Sequence, residues 1–174
     1  MAEETRAGWI LGALRGFGRA LQRLPRWAGC LLAIGWIGFI WTLSERPGGV
    51  TPPNFWSSWG FNFAHAPLFG VVALWLLVAF PRHEGWPQMT LRLVLLTLVA
   101  VLLNAAADEL HQAQVAGRDA SVFDVMTDVV GAGSTLWLAA YVGSDAASPR
   151  GVLVRVAAAL GLCALSGLAA TLFS

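Results

Sequence analysis

Apolar residues gather in runs separated by short polar stretches, and the runs are too long for strands or for the core-facing stripe of a soluble helix. Five of them, Trp27 to Leu43, Phe63 to Phe80, Leu91 to Ala107, Ser121 to Val142 and Gly151 to Phe173, approach the roughly 20 predominantly apolar residues that a membrane-crossing helix needs. The first and third are slightly short and draw on aromatic or polar flanks. None carries a charge at its midpoint. His65 and Arg155 stand near the starts of the second and fifth, from where their side chains reach the interface. Ahead of these runs, Ile10, Leu14, Phe17, Leu21 and Leu24 recur at spacings of 4, 3, 4 and 3, with Arg15, Arg19 and Arg23 on another face. That spacing predicts an amphipathic helix lying in the headgroup plane, its arginines facing anionic lipid. Gly8, Gly12, Gly16 and Gly18 weaken helix propensity and leave a disordered basic leader as the alternative. The whole pattern predicts an all-α fold: an interfacial helix over residues 1–26, then a polytopic helical membrane bundle of about five spans over residues 27–174.

Composition agrees. Hydrophobic residues are 57% and charged residues 12% of the chain, against roughly 45–50% and roughly 25% in soluble domains. A mean hydropathy of +0.65 leaves too little charge to coat a soluble surface. The net charge of +1 and the lack of a basic run argue against nucleic acid as a partner. Cys30 and Cys163 both fall in apolar stretches and read as small hydrophobes, not as a disulfide framework or a zinc knuckle. The first 26 residues lack the continuous apolar core of a cleavable signal peptide, so the N-terminus is expected to stay on the mature chain. The only linker-like composition is Ser44 to Asn54, rich in Pro and Gly.

All 11 basic residues are arginine. With a cytoplasmic N-terminus, Arg6, Arg15, Arg19, Arg23, Arg26, Arg82, Arg92, Arg150 and Arg155 lie on the inner side, and only Arg46 and Arg118 on the outer. The positive-inside rule therefore places the N-terminus in the cytoplasm and the C-terminus outside it. Trp27 and Trp86 then mark the inner interface, and Trp41, Trp56 and Trp59 the outer one.

The same topology collects the acidic residues. Asp108, Glu109, His111 and Gln112 follow the third run, Arg118 and Asp119 lie in the next loop, Asp124 and Asp128 open the fourth run, and His65 opens the second. All fall on the outer side. The short link from Ala113 to Ala120 makes the third and fourth helices antiparallel neighbours. Glu109 and Gln112 share one helix face, and Asp124 and Asp128 share another. If these faces meet, with His65 completing the set, a cluster of carboxylate, amide and imidazole forms about one turn below the membrane surface. Plainer roles compete. Ser121 with Asp124 matches a capping box, aspartate standing where glutamate is usual. Asp108 and His111 read as a solvated helix end. Arg118 is a counter-ion to Asp119, or reaches back to Glu109 or Asp124. His65 reads more readily as a hydrogen-bonded interface residue than as a metal ligand. Gly131 and Gly133, followed by Ser134 and Thr135, suggest close helix packing.

The stretch from Asp108 to Gly133, DELHQAQVAGRDASVFDVMTDVVGAG, resembles the signature of the VanZ-like membrane proteins. In that signature a helix ends in Glu-x-x-Gln, a short loop carries Arg after Gly, and the next helix runs Asp-x-x-x-Asn-x-x-Gly. Glu109, Gln112, Gly117, Arg118, Asp124 and Gly131 match, while Asp128 stands at the Asn position. Upstream, HAPLF from His65 resembles the family's Asp-Lys-x-x-His-x-x-x-Tyr element, with Phe61 and Asn62 in place of Asp-Lys and Phe69 in place of Tyr. The resemblance spans roughly 43–138. It implies a multi-pass protein of the bacterial inner membrane, in a family named for an accessory protein of glycopeptide (teicoplanin) resistance at the cell envelope.

Three roles fit these residues. A binding or processing module would hold an envelope ligand, such as a lipid headgroup, a lipid-linked precursor or a cationic or glycopeptide antibiotic, at His65, Glu109, Gln112, Arg118, Asp124 and Asp128. An intramembrane enzyme would use the carboxylates and His65 to bind Mg²⁺ or Mn²⁺, although no aspartate-rich diphosphate motif, HExxH, GxSxG or P-loop is present. A structural subunit of a membrane-protein complex would pack laterally through small residues such as Gly161, Ser166 and Gly167 and keep the cluster as a self-satisfied network. The expectation is the first role, non-catalytic and without a cofactor, with a divalent metal as the alternative.

Overall fold

A computed structural model of the chain describes residues 2–47 and 54–173, so most of the expected Ser44 to Asn54 linker lies outside the described residues. Among the described residues six helices follow in order: α1 Ala2–Leu21, α2 Arg26–Ser44, α3 Phe55–Ala79, α4 Leu91–Gln112, α5 Val122–Val142 and α6 Pro149–Phe173. A two-residue-stranded hairpin, β1 Arg82–His83 and β2 Trp86–Pro87, joins α3 to α4. Its turn uses Glu84 and Gly85 at φ of 50° and 75°, the left-handed pair that a tight hairpin needs.

The five helices α2 to α6 are each long and apolar enough to cross a membrane. Two spans run more than a full turn beyond the hydropathy runs. Helix α3 begins at Phe55, where Asn54 caps it by accepting from Ser57 N, so His65 sits nearly three turns inside and not at the start. Helix α4 continues through Gln112, because Asp108, Glu109 and Gln112 are buried against protein and prolong the inward stripe of Val101 and Ala105.

Helix α3 is the central element, packed against α2, α4, α5 and α6. Its neighbours approach through glycine. A Cβ on Gly131 of α5 would collide with the Ala66 backbone, one on Gly29 of α2 with the backbone at Trp75 and Ala79, and one on Gly167 of α6 with the Phe63 backbone. Such small-residue contacts let helices close without a hydrophobic drive between them. By contrast, a Cβ on Gly133 would meet only Leu98 Cδ2 at 4.0 Å, an ordinary contact, and one on Gly161 would meet nothing within 4 Å. The core gathers Phe69, Val72, Ala73, Leu77, Val101, Ala132 and Leu136, while Leu95, Leu96, Val99, Leu103, Leu160 and Leu165 are exposed. Apolar exteriors of this kind suit hydrocarbon as solvent.

The N-terminal helix forms, and it docks on the bundle instead of lying free. Leu11, outside the expected stripe, is the most buried of its described side chains and packs with Val142 and Val152. Arg15 does not face lipid. Its Nε and Nη2 donate to Val142 O and Ser144 O, each at 3.0 Å, and satisfy carbonyls at the C-terminus of α5. Trp86 likewise is no simple belt residue: its indole N–H donates to Ala139 O at 3.2 Å, and Cβ atoms on Gly18 and Gly143 would strike its ring.

Candidate functional site

The close approach at Gly131 and Ala66 sets the register between α3 and α5. One residue before Ala66 and one turn before Gly131 stand His65 and Asp128, and their Nδ1 and Oδ1 lie 3.1 Å apart. Asp128 is completely buried and His65 is 17% exposed at its side chain. With Nδ1 carrying a proton, the Asp128 carboxylate accepts from it, and in the neutral ring that tautomer puts the imidazole lone pair on Nε2.

The end of α4 supplies a second group. Ser44 of α2 donates its hydroxyl to Asp108 Oδ2 at 2.8 Å, and Gln112 Nε2 donates to the same oxygen at 2.9 Å. Gln112 Nε2 also lies 3.3 Å from Glu109 Oε1, and its carbonyl Oε1 accepts from Arg118 Nη1 at 2.8 Å. The amide thus joins an arginine to two carboxylates, a role that needs a donor and an acceptor on one side chain. Arg118 completes its bonding with Nε to Arg46 O at 2.9 Å and Nη2 to Leu43 O at 3.3 Å. Gly117, at φ of 76°, takes the left-handed turn that brings Arg118 back over the end of α2.

The start of α5 is capped from two sides. Ser121 is the N-cap, its hydroxyl accepting from Asp124 N at 3.2 Å. In a capping box the residue at Asp124 would reach back to the Ser121 backbone N–H. That N–H instead donates to Glu109 Oε2 at 2.7 Å, so α4 supplies the second half of the cap. Glu109 is thereby held beside Asp124.

A ring nitrogen of His65, a carboxylate oxygen of Glu109 and one of Asp124 all lie within 4.8 Å of one another. Four buried carboxylates, Asp108, Glu109, Asp124 and Asp128, share this end of the bundle, and Arg118 makes no ion pair with any of them among the described residues. Several of their oxygens are unmatched: among the described residues Asp108 Oδ1, Asp124 Oδ1 and Asp128 Oδ2 are buried without a hydrogen-bond partner. A buried carboxylate oxygen left this way is costly.

The structure brings together all six candidate residues, His65, Glu109, Gln112, Arg118, Asp124 and Asp128. It corrects three expectations, for Asp108, His111 and Arg118. Asp108 is not a solvated helix end but is 1% exposed and bonded to Ser44 and Gln112. His111 is half-buried and stacked on Trp41, ring centroids 5.1 Å apart. Arg118 pairs with neither Asp119, Glu109 nor Asp124; the amide and backbone carbonyls nearer its fork take its donors. Sequence reasoning missed Ser44 and Asp108. Val101, Ala105, Asp108 and Gln112 follow spacings of 4, 3 and 4, one continuous helix face, and that periodicity assigns Asp108 to the interior.

Five membrane-length helices around a buried, carboxylate-rich cluster at one end define a polytopic helical membrane protein with a candidate ligand site. A sequence profile of the VanZ/LLP1 family matches residues 28–143, and the chain belongs to that family. The matched segment contains every candidate site residue. No curated protein and no solved structure matches the chain. The upstream departures have structural outlets: Asn62 Nδ2 donates to Thr171 Oγ1 of α6 at 3.1 Å, Phe61 is exposed, and Phe69 lies wholly in the apolar core.

Proposed function

We propose that the protein is a binding module of the bacterial inner membrane which holds the polar headgroup of an envelope molecule, a lipid or lipid-linked precursor, in the cluster between α3, α4 and α5. The observation that carries this reading is the pair of unmatched buried oxygens, Asp124 Oδ1 and Asp128 Oδ2, beside His65. Ionisable groups at membrane depth are expensive and are kept for function or for mutual pairing. Mutual pairing accounts for Ser44, Asp108 Oδ2, Gln112 and Arg118, but not for these two oxygens. A purely structural subunit would favour a network closed on itself. The arginine asymmetry supports a cluster facing away from the cytoplasm. The family's namesake makes a cationic or glycopeptide antibiotic the competing ligand class.

Mass spectrometry of molecules that co-purify with the full chain in mild detergent tests the reading. An envelope lipid or lipid-linked molecule is expected with the natural protein and depleted at least about tenfold, a loss of about 1.4 kcal/mol, in Asp124→Asn and Glu109→Gln. An identical set of co-purifying molecules in all three proteins would overturn it. Recovery of a defined complex with other membrane proteins, with no such lipid, would favour the subunit role.

A further inference from the structure

From the geometry at the heart of the cluster we infer that His65, Glu109 and Asp124 form a site for one divalent first-row cation, Mn²⁺ or Zn²⁺, whose remaining coordination positions take phosphate oxygens of the bound headgroup. The bridging half of this inference rests on the headgroup-binding reading above; the cation half stands on its own residues.

The donors come from three helices and converge. One ring nitrogen and two carboxylate oxygens lie within 4.8 Å of one another. A cation about 2.1 Å from each donor sets the donors about 3.0–3.5 Å apart, so side-chain rotations closing at most about an ångström or two complete the set. Asp124 supplies an independent sign. It is 9% exposed, and its Oδ1 has no hydrogen-bond partner among the described residues. A coordinate bond would satisfy that oxygen, and the cation's charge would offset carboxylates that Arg118 does not pair.

Asp128 fits as a positioning residue. Metal-bound histidines commonly give their other ring N–H to a carboxylate, which fixes the tautomer and the ring plane. The Nδ1 to Asp128 Oδ1 contact of 3.1 Å has that form, and with Nδ1–H given to Asp128 the metal would be taken by Nε2. Glu109 is fixed similarly, with Oε2 held by the Ser121 N–H at 2.7 Å. One imidazole with two carboxylates suits Mn²⁺ or Zn²⁺ better than the all-oxygen preference of Ca²⁺ or Mg²⁺. Three protein ligands leave room for further oxygen ligands.

The test uses the full chain in detergent, stripped with chelator and titrated with Mn²⁺ under electron paramagnetic resonance. One bound Mn²⁺ per chain is expected, with a nitrogen coupling from imidazole. His65→Gln should abolish the nitrogen coupling, and His65→Gln and Asp124→Asn should each weaken binding at least about tenfold. Asp128→Asn should keep one site while weakening it about 10–100-fold. Helix content and monodispersity confirm folding, and Glu109→Gln, which keeps an acceptor for Ser121 N–H, is a second variant expected to lose affinity. No bound Mn²⁺, or binding indifferent to His65→Gln and Asp124→Asn, overturns the cation site. For the bridge, ³¹P broadening by bound Mn²⁺ is compared for a short-chain phosphatidic acid and for inorganic phosphate. Broadening of the lipid phosphate supports it, and broadening of inorganic phosphate alone overturns it. If co-purifying lipid survives chelation, the bridge falls while headgroup binding stands. If Mn²⁺ binds and no lipid is retained, the cation site stands and the headgroup reading falls.

Discussion

Gln112 shows how one side chain holds the polar end of the bundle together. Its N–H₂ serves Asp108 Oδ2 and its carbonyl serves Arg118 Nη1, at 2.9 and 2.8 Å. Leucine has similar volume and neither function. Gln112→Leu would leave a guanidinium N–H and a buried carboxylate short of partners, and the expected destabilisation is about 2–4 kcal/mol, read by thermal or denaturant unfolding in detergent. Ser44→Ala removes only one of the two donors to Asp108 Oδ2 and should cost about 1 kcal/mol. Equal effects from the two would show that Gln112 is not the bridge. At this scale the sequence was informative about residue type and less so about partners. The i, i+3 and i, i+4 spacings brought Glu109 to Gln112 and Asp124 to Asp128, because helical geometry is local. They were silent on Ser44 and on the backbone carbonyls that take Arg118, because those contacts join α2 to the link between α4 and α5 and depend on how the helices assemble. The split cap at Ser121 has the same origin. A capping-box pattern identifies the N-cap, but Glu109 from another helix supplies its second acceptor.

Between elements, glycine sets distance and therefore register. The Gly131 to Ala66 approach brings α3 and α5 together beside His65 and one turn from Asp128, so site geometry and packing share a cause. Gly131→Ala puts a Cβ into the Ala66 backbone, and overpacking of this kind costs about 1–3 kcal/mol. Gly133→Ala meets only Leu98 Cδ2 at 4.0 Å and should be neutral, or stabilising by up to about 1 kcal/mol through helix propensity. Comparable losses of melting temperature in both variants would refute the packing argument. Sequence reading gave the two glycines one role; neighbours on α3 and α4, invisible in α5 alone, separate them. Helix α1 gives a second case. Its apolar spacing predicted a helix, but lipid and protein attract such a face equally, so its docking was not legible. Arg15 decides the matter by donating to Val142 and Ser144 carbonyls. Arg15→Met should therefore raise amide hydrogen exchange across residues 8–21 while α3 and α5 stay protected. Unchanged exchange would mean that Leu11 and its apolar neighbours hold α1 without the arginine.

Across the whole molecule, two ends carry different chemistry. One gathers α1, the hairpin and Arg15, Arg26 and Arg82, whose guanidinium groups bond to chain carbonyls at the ends of α3 and α5 or just beyond α1. The other gathers the carboxylate cluster with Arg118 over the end of α2. The number of spans was readable because hydrocarbon thickness imposes a length on every apolar run; the true ends of α3 and α4 were not, because buried polar residues carry α4 on to Gln112 without raising its hydropathy, and Asn54 caps α3 well before its apolar run begins. Orientation follows from charge. Moving arginine-rich segments across the bilayer is disfavoured, so the α1 end is expected to face the cytoplasm and the cluster the opposite side. With Cys30→Ser and Cys163→Ala as background, Ala116→Cys in the exposed link between α4 and α5 should react with a membrane-impermeant maleimide in intact cells. His83→Cys, in the exposed hairpin, should react only after the membrane is opened. The reverse pattern would put the cluster in contact with the cytoplasm, and its ligand would then have to be sought among molecules of the inner leaflet.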